Sequence, residues 1–155
     1  MSGVGIPAIH DALASMVAAS GRFEQVSKHE AKSGPIGGIT AEIYLGPDDM
    51  MGVDGSGAVS TSVRVVFTIR VRDNMLSEPQ DGIDAQIGQA CDDICALLNA
   101  NYDLNTSGVR AVDLLGIYGD QLKVSWGYIN QDGKMYRTGD IYVPVIVNDA
   151  WTQVA

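Results

Sequence analysis

The sequence predicts an α+β domain: an antiparallel sheet with two helices packed on one face and a long β-hairpin arm projecting from it. Three observations predict it. Residues 59–72 (VSTSVRVVFTIRVR) alternate apolar and polar side chains without a break. Two separate segments carry apolar residues at helical spacing, and the last third of the chain holds three alternating runs bounded by turn residues.

The chain opens with a short lead from Ser2 to Ile6. Pro7 suits a first helical turn and Gly21 the position just past a helix end. Between them Ile9, Leu13, Met16 and Val17 make an apolar stripe, while Ala14, Ser15, Ala18 and Ala19 form a nearly neutral back that reads as a second packing surface. Phe23 to Lys28 suits a short strand, and 30–38 (EAKSGPIGG) reads as a loop. Ile39, Ala41, Ile43 and Leu45 alternate with Thr40, Glu42 and Tyr44, a half-buried strand.

Residues 46–58 (GPDDMMGVDGSGA) read as a mobile link carrying Met50 and Met51, two apolar groups with no local core. The strand from Val59 to Arg72 follows. Val63, Val65, Phe67, Ile69 and Val71 share one face, and Arg64, Arg70 and Arg72 share the other. Fourteen residues reach roughly 46 Å, more than a small core uses, so part of the strand is expected to project. The arm covers about residues 39–72.

Ser77-Glu78-Pro79-Gln80 resembles a capping box. Ile83, Ile87, Ala90, Cys91, Ile94, Leu97 and Leu98 then fall within an arc of about 120° on a helix. Its far side gathers Ala85, Gly88, Asp92, Cys95 and Ala96, with Asp92 and Asp93 as an acidic rim. Strands are expected at 109–118, from Leu122 to Ile129, and at 135–148, with a hairpin turn at Asn130-Gln131-Asp132-Gly133. Pro144 lacks an N–H and belongs at an edge or a break in the ladder. The tail, 149–155, carries Trp151 without an anchor. No repeat or linker divides residues 1–155, so one domain is expected.

Composition narrows the function classes. The 155 residues carry a net charge of -9, with fifteen Asp against four Glu, which opposes a nucleic-acid-gripping surface. No Lys or Arg occurs between Asp73 and Val109. No signal peptide or membrane-spanning run is visible, and Cys91 and Cys95, four apart on a helix, suit a reduced setting rather than a disulfide. His10 and His29 read as surface residues, and no metal or cofactor is expected. Asp48-Asp49 and Asp54-Gly55-Ser56-Gly57 lack the ligand spacing of an EF-hand. No nucleophile motif is present, so no catalytic residue is assigned and the chain reads as a non-enzyme. Arg64, Arg70 and Arg72 are expected to pair with acids on a neighbouring strand or subunit, with Asp92 and Asp93 a natural complement in a head-to-tail ring.

The layout is similar to that of the tail-terminator proteins of long-tailed bacteriophages and the related neck and tail-completion family. The matching pieces are IHDALASMVAAS, then ITAEIYLGPDDMMGVDGSGAVSTSVRVVFTIRVRD, DGIDAQIGQACDDICALLNAN, and the closing strands VRAVDLLGIYGDQLKVSWGYI and YRTGDIYVPVIV. The likeness is one of pattern and length over nearly the whole chain. It implies a hexameric ring at the head-proximal end of the tail tube, in the virion, assembled in the host cytoplasm. Such a ring stops tube growth, meets the tail tube protein and head–tail connector proteins, and passes DNA through its lumen without gripping it. Met50, Met51, Arg64, Arg70, Arg72, Asp92, Asp93 and Trp151 are the expected subunit or partner contacts. A tube subunit or connector is the alternative within that class, and a small ligand-binding or enzymatic α+β domain the alternative outside it.

Overall fold

The computed structural model describes residues 3–30, 38–56, 60–75, 80–106 and 108–152. Helix α1 (Ile6–Ala19) leads into strands β1 (Gln25–Ser27), β2 (Ile39–Leu45), β3 (Met51–Ser56) and β4 (Ser60–Asn74). A single 3-10 turn (Gln80–Gly82) opens helix α2 (Ile83–Ala100), and β5 (Arg110–Val112), β6 (Lys123–Gln131) and β7 (Lys134–Thr152) close the chain. The α+β class stands. The expected cap at Ser77 lies outside the described residues.

β4 and β7 are the two central strands, paired antiparallel from Ser60↔Thr152 to Asn74↔Tyr136. On the outer edge of β4, β2 pairs with the Phe67–Asp73 half and β3 with the Ser60–Arg64 half. On the outer edge of β7, β5 pairs with Val145–Val147 and β6 with Lys134–Tyr142. The sheet is mixed rather than wholly antiparallel, because β1 runs parallel to β2. Residues 28–38 separate the two strands, more than the two-residue hairpin that can join antiparallel neighbours.

The alternation of β4 builds the core. Val63, Val65, Phe67, Ile69 and Val71 meet Ile9, Leu13 and Val17 of α1 and Ile87, Ala90, Cys91, Ile94 and Leu98 of α2 in one buried cluster. Both helices therefore cover the same face. Each of the Val, Leu, Ile and Phe side chains among them contributes about 1.5–3 kcal/mol on burial, which makes this face the main source of stability. α1 ends as its sequence predicts, with Gly21 at φ 73° just beyond the last turn. His10 is not a plain surface residue: its Nε2–H donates to the Ile43 carbonyl at 2.6 Å, and its ring tilts against Phe67. It fastens α1 to β2.

Four expectations change. The link 46–58 is not all loop, since Met51–Ser56 is a strand on β4, so Met50 and Met51 stand beside Arg64 rather than at a hairpin tip. The long strand projects less than expected: Ser62 to Asp73 is buried apart from Arg70, because β7 runs beside it throughout. Only Ser60 and Thr61 at its start are half-exposed, and residues 57–59 lie outside the described residues. The run 109–118 is a strand only at Arg110–Val112. The final strand extends to Thr152, so Trp151 is anchored through its backbone opposite Thr61.

The β6–β7 turn is the two-residue type its sequence demands, with Asp132 at φ 55° and Gly133 at φ 74°. Pro144 sits in the gap between β5 and β6 along the edge of β7, and its carbonyl accepts the Asp113 N–H at 2.8 Å. The missing N–H therefore costs the ladder nothing.

Candidate functional site

The polar face of β4 is covered within the chain. Arg72 is 1 % exposed and lies 2.5 Å (Nε to Oε1) from Glu42, also buried; its Nη1 donates to Gln131 Oε1 at 2.5 Å and its guanidinium stacks over Tyr136. Arg70 grips Asp140 with two bonds, 2.9 and 3.2 Å, reaches Glu30 and lies over Tyr44. Burial alone pulls the Arg70 guanidinium down, but the hydrogen bond and charge of Asp140 outweigh it and raise its pKa. Burial pushes the Tyr44 hydroxyl up, partly opposed by Arg70. The partners are thus acids on the neighbouring strands β2 and β7, together with Glu30.

Arg64 is buried and holds a loop. Its Nη2 donates to the Asp120 carbonyl at 2.9 Å, Asp48 is 3.9 Å from Nη1, and a Cβ on Gly119 would come within 3.1 Å of its Cζ. The other end of this loop is fixed by Asp113, a buried carboxylate. Its Oδ1 accepts the Ile117 N–H at 2.8 Å and its Oδ2 the Tyr118 N–H at 3.0 Å. Gly116, at φ 73°, makes the bend, and a Cβ there would meet the Gly119 carbonyl at 2.5 Å. Held in this way, the loop presents Leu115, 87 % exposed, and Ile117, 78 % exposed, to solvent. Met51 is in register with Arg64 and shares its face, so Met51 and the loop lie on the same side of the sheet.

Sequence reasoning missed Leu115 and Ile117 by reading 109–118 as a strand. The signal that marks them is DLLGIYGD, where two glycines three apart break the alternation and an Asp precedes the bend.

The remaining expected contacts are scattered. Asp93 is bound by Arg22 and by Gln89 at 2.9 Å. The Gln89 bond, opposed by slight burial and joined by Arg22, holds its carboxyl below the usual range. Asp92 is exposed and, among the described residues, has no ion pair. A shallow cleft of about 350 Å³ between the helices is lined by Ser20, Asp93, Ala96 and Leu97. Trp151 is partly exposed at the end of β7. A second apolar strip lies on β6, where Trp126 and Tyr128 border openings of about 230 and 430 Å³ against Asp84, Ile83 and Ile87 of α2.

Among the described residues no group of three or more His, Cys, Asp or Glu is placed to hold a metal ion. No described helix is long and apolar enough to cross a membrane.

No family model matches the chain, and no curated protein matches it in sequence. Among solved structures it is similar to a sheath/tube terminator of an extracellular contractile injection system, PVC, in the extended state. The TM-score is 0.43 at 15% identity, over 100% of this chain and 62% of that one, so the chain spans less than two thirds of that neighbour. It is also similar to a chain of the virion of a native gene transfer agent particle, with TM-score 0.34, 12% identity, and coverage of 88% and 84%.

Proposed function

We propose that this chain is a structural subunit of a phage-type tail. It closes into a ring, a hexamer, on the head-proximal end of the tail tube, ends tube growth there and provides the surface to which the head joins. The observation that carries the reading is the loop of Leu115 and Ile117: a bend fixed at both ends by buried ionic groups that holds two large aliphatic side chains in water. A folded chain gains nothing from leaving them there. Covering both releases about 3–6 kcal/mol, whereas association costs about 4–15 kcal/mol, so one such contact does not hold two subunits and several must act together. A closed ring gives every subunit two interfaces.

In this reading the tail tube protein and head–tail connector proteins are the partners, and Met50, Met51, Asp92 and Trp151 are contact residues in addition to the loop. Arg64, Arg70, Arg72 and Asp93 act through their own chain, shaping the surface rather than touching the partner. DNA passes the lumen without being gripped, which suits a chain of net charge -9.

The test is the solution mass by light scattering, with negative-stain imaging and addition of growing tail tubes. Closed rings that arrest tube growth are expected. Unlimited filaments would make the chain a tube subunit, and a monomer that ignores tubes would end the structural reading.

A further inference from the structure

Besides the three-residue strands β1 and β5, two longer strands, β3 and β6, have free outer edges among the described residues, on opposite sides and at opposite ends of the sheet. Among the described residues β6, nine residues long, pairs with β7 alone and contains no buried residue. Among the same residues β3 pairs with β4 alone. Long exposed edges are templates for pairing, and soluble chains blunt them with charge, proline or a covering element. β6 (KVSWGYINQ) has one charged residue, Lys123, no proline, and Trp126 and Tyr128 exposed along one side. Nothing among the described residues covers it with a further strand.

Charge decides which edge it meets. Residues 123–137 carry Lys123 and Lys134 against Asp132, with Arg137 already bound to Asp84, while residues 48–56 carry Asp49 and Asp54, with Asp48 near Arg64, and no cation. Lys123 is held loosely, 3.6 Å from the exposed Asp120 and 5.6 Å from the centre of the Tyr142 ring, and Lys134 is exposed. Two β3 edges would repel each other; a β3 edge and a β6 edge attract.

We infer that the outer edge of β6 pairs with the outer edge of β3 from a second copy of this chain, extending one seven-stranded sheet into the next. This rests on the reading of the chain as an assembling subunit and names the contact that does it. Because the two edges lie on opposite sides of the sheet, the contact is head-to-tail, the kind that generates rings or open helices rather than isolated pairs. Main-chain bonds supply the affinity, and the acid–base match selects β3 over a second β6.

The test compares Lys123→Glu, Asp49→Lys and the chain carrying both, all checked for an unchanged Tm. At low salt each single reversal is expected to raise the concentration for half-assembly about fivefold, and the combined chain to return within about twofold of the original. Hydrogen exchange on the assembled protein is expected to slow at β6 and β3 amides relative to dilute monomer. Assembly indifferent to the single reversals, or a combined chain no better than the worse single, overturns the β6–β3 contact. So does protection at β6 alone, which would mean a β6–β6 pair. A chain that stays monomeric at every concentration yet binds tubes also overturns it, since the contact needs only a second copy, while the ring reading survives on the tube template. Indifference to tubes as well removes both.

Discussion

Arg72 and Glu42 form a buried ion pair set diagonally across β4 and β2, with Nε and Oε1 2.5 Å apart and both side chains at most 3 % exposed. Such a pair adds little net stability, because removing two charges from water offsets their attraction. Its effect is on register: a one-residue slip of β2 would turn Glu42 to the apolar face. Breaking it from one side is a different matter. Glu42→Gln leaves Arg72 buried without its counter-charge and is expected to cost about 3–5 kcal/mol in urea unfolding, whereas Glu42→Leu with Arg72→Met costs less than half of that. Equal losses in the two variants would refute this account of the pair.

Asp113 fixes the loop that holds Leu115 and Ile117. Asp113→Ala removes two charged hydrogen bonds and is expected to cost about 1.5–3 kcal/mol, with Asp113→Asn losing less because one acceptor remains. The amides of Ile117 and Tyr118 should then exchange faster than those of β7, which hydrogen exchange followed by mass spectrometry resolves.

Leu115 and Ile117 themselves support nothing in the isolated chain. Their replacement by serine is expected to leave urea unfolding within about 0.5 kcal/mol of the original. The same variant should fail to assemble in light scattering. Unimpaired assembly would remove the loop from the interface.

Gly139 is a packing requirement. A Cβ there would stand 2.6 Å from Cys91 Sγ and 3.0 Å from the Trp126 ring. Gly139→Ala is expected to cost about 1–3 kcal/mol by overpacking. Adding Cys91→Ala should recover part of it, a coupling that a double-mutant cycle measures.

Burial pushes the Cys91 thiol up to about 12, with small further contributions from Cys95 and Asp140; burial and then Asp92 raise Cys95 as well. At pH 8 both thiols stay protonated. Alkylation by iodoacetamide should be slower than for a free cysteine, with half-buried Cys95 reacting before Cys91. Folding that favours the neutral thiol is fully supported below the unfolded pKa, 9.0, and loses that support as pH climbs toward 12. Thermal unfolding between pH 8 and 11 checks the sign.

The elements with a clean period were legible. α1, α2 and the interior of β4 follow from spacing alone, because one face of each is apolar and the pattern records it, and the Asp132-Gly133 hairpin follows from its turn residues. The surface was less legible for the same reason turned round. Met50 and Met51 have no local core, so their segment read as loop, yet β4 offers it main-chain partners that no side-chain pattern reveals. Arg64, Arg70 and Arg72 read as a cationic outer face; their partners Glu42, Asp140 and the Asp120 carbonyl lie as many as 70 residues away and become neighbours only through the topology. The Leu115 loop was hidden by its own apolarity, since alternation over a few residues resembles a strand until the glycines are weighed.

The pairing of β4 with β7 also determines how the chain reaches its fold. Ser60 meets Thr152 and Asn74 meets Tyr136, so the two middle strands of the sheet are far apart along the chain. Helix α2 and the β6–β7 hairpin are local structures that can form early, but the centre of the sheet must wait for that long loop to close. During synthesis β4 leaves the ribosome well before β7 exists, with Val65, Phe67 and Ile69 on view and its neighbouring edge vacant. Folding of this chain is therefore a race between closing its own sheet and joining another chain's, and the strand that will later be the most protected is the one most at risk while the protein is being made.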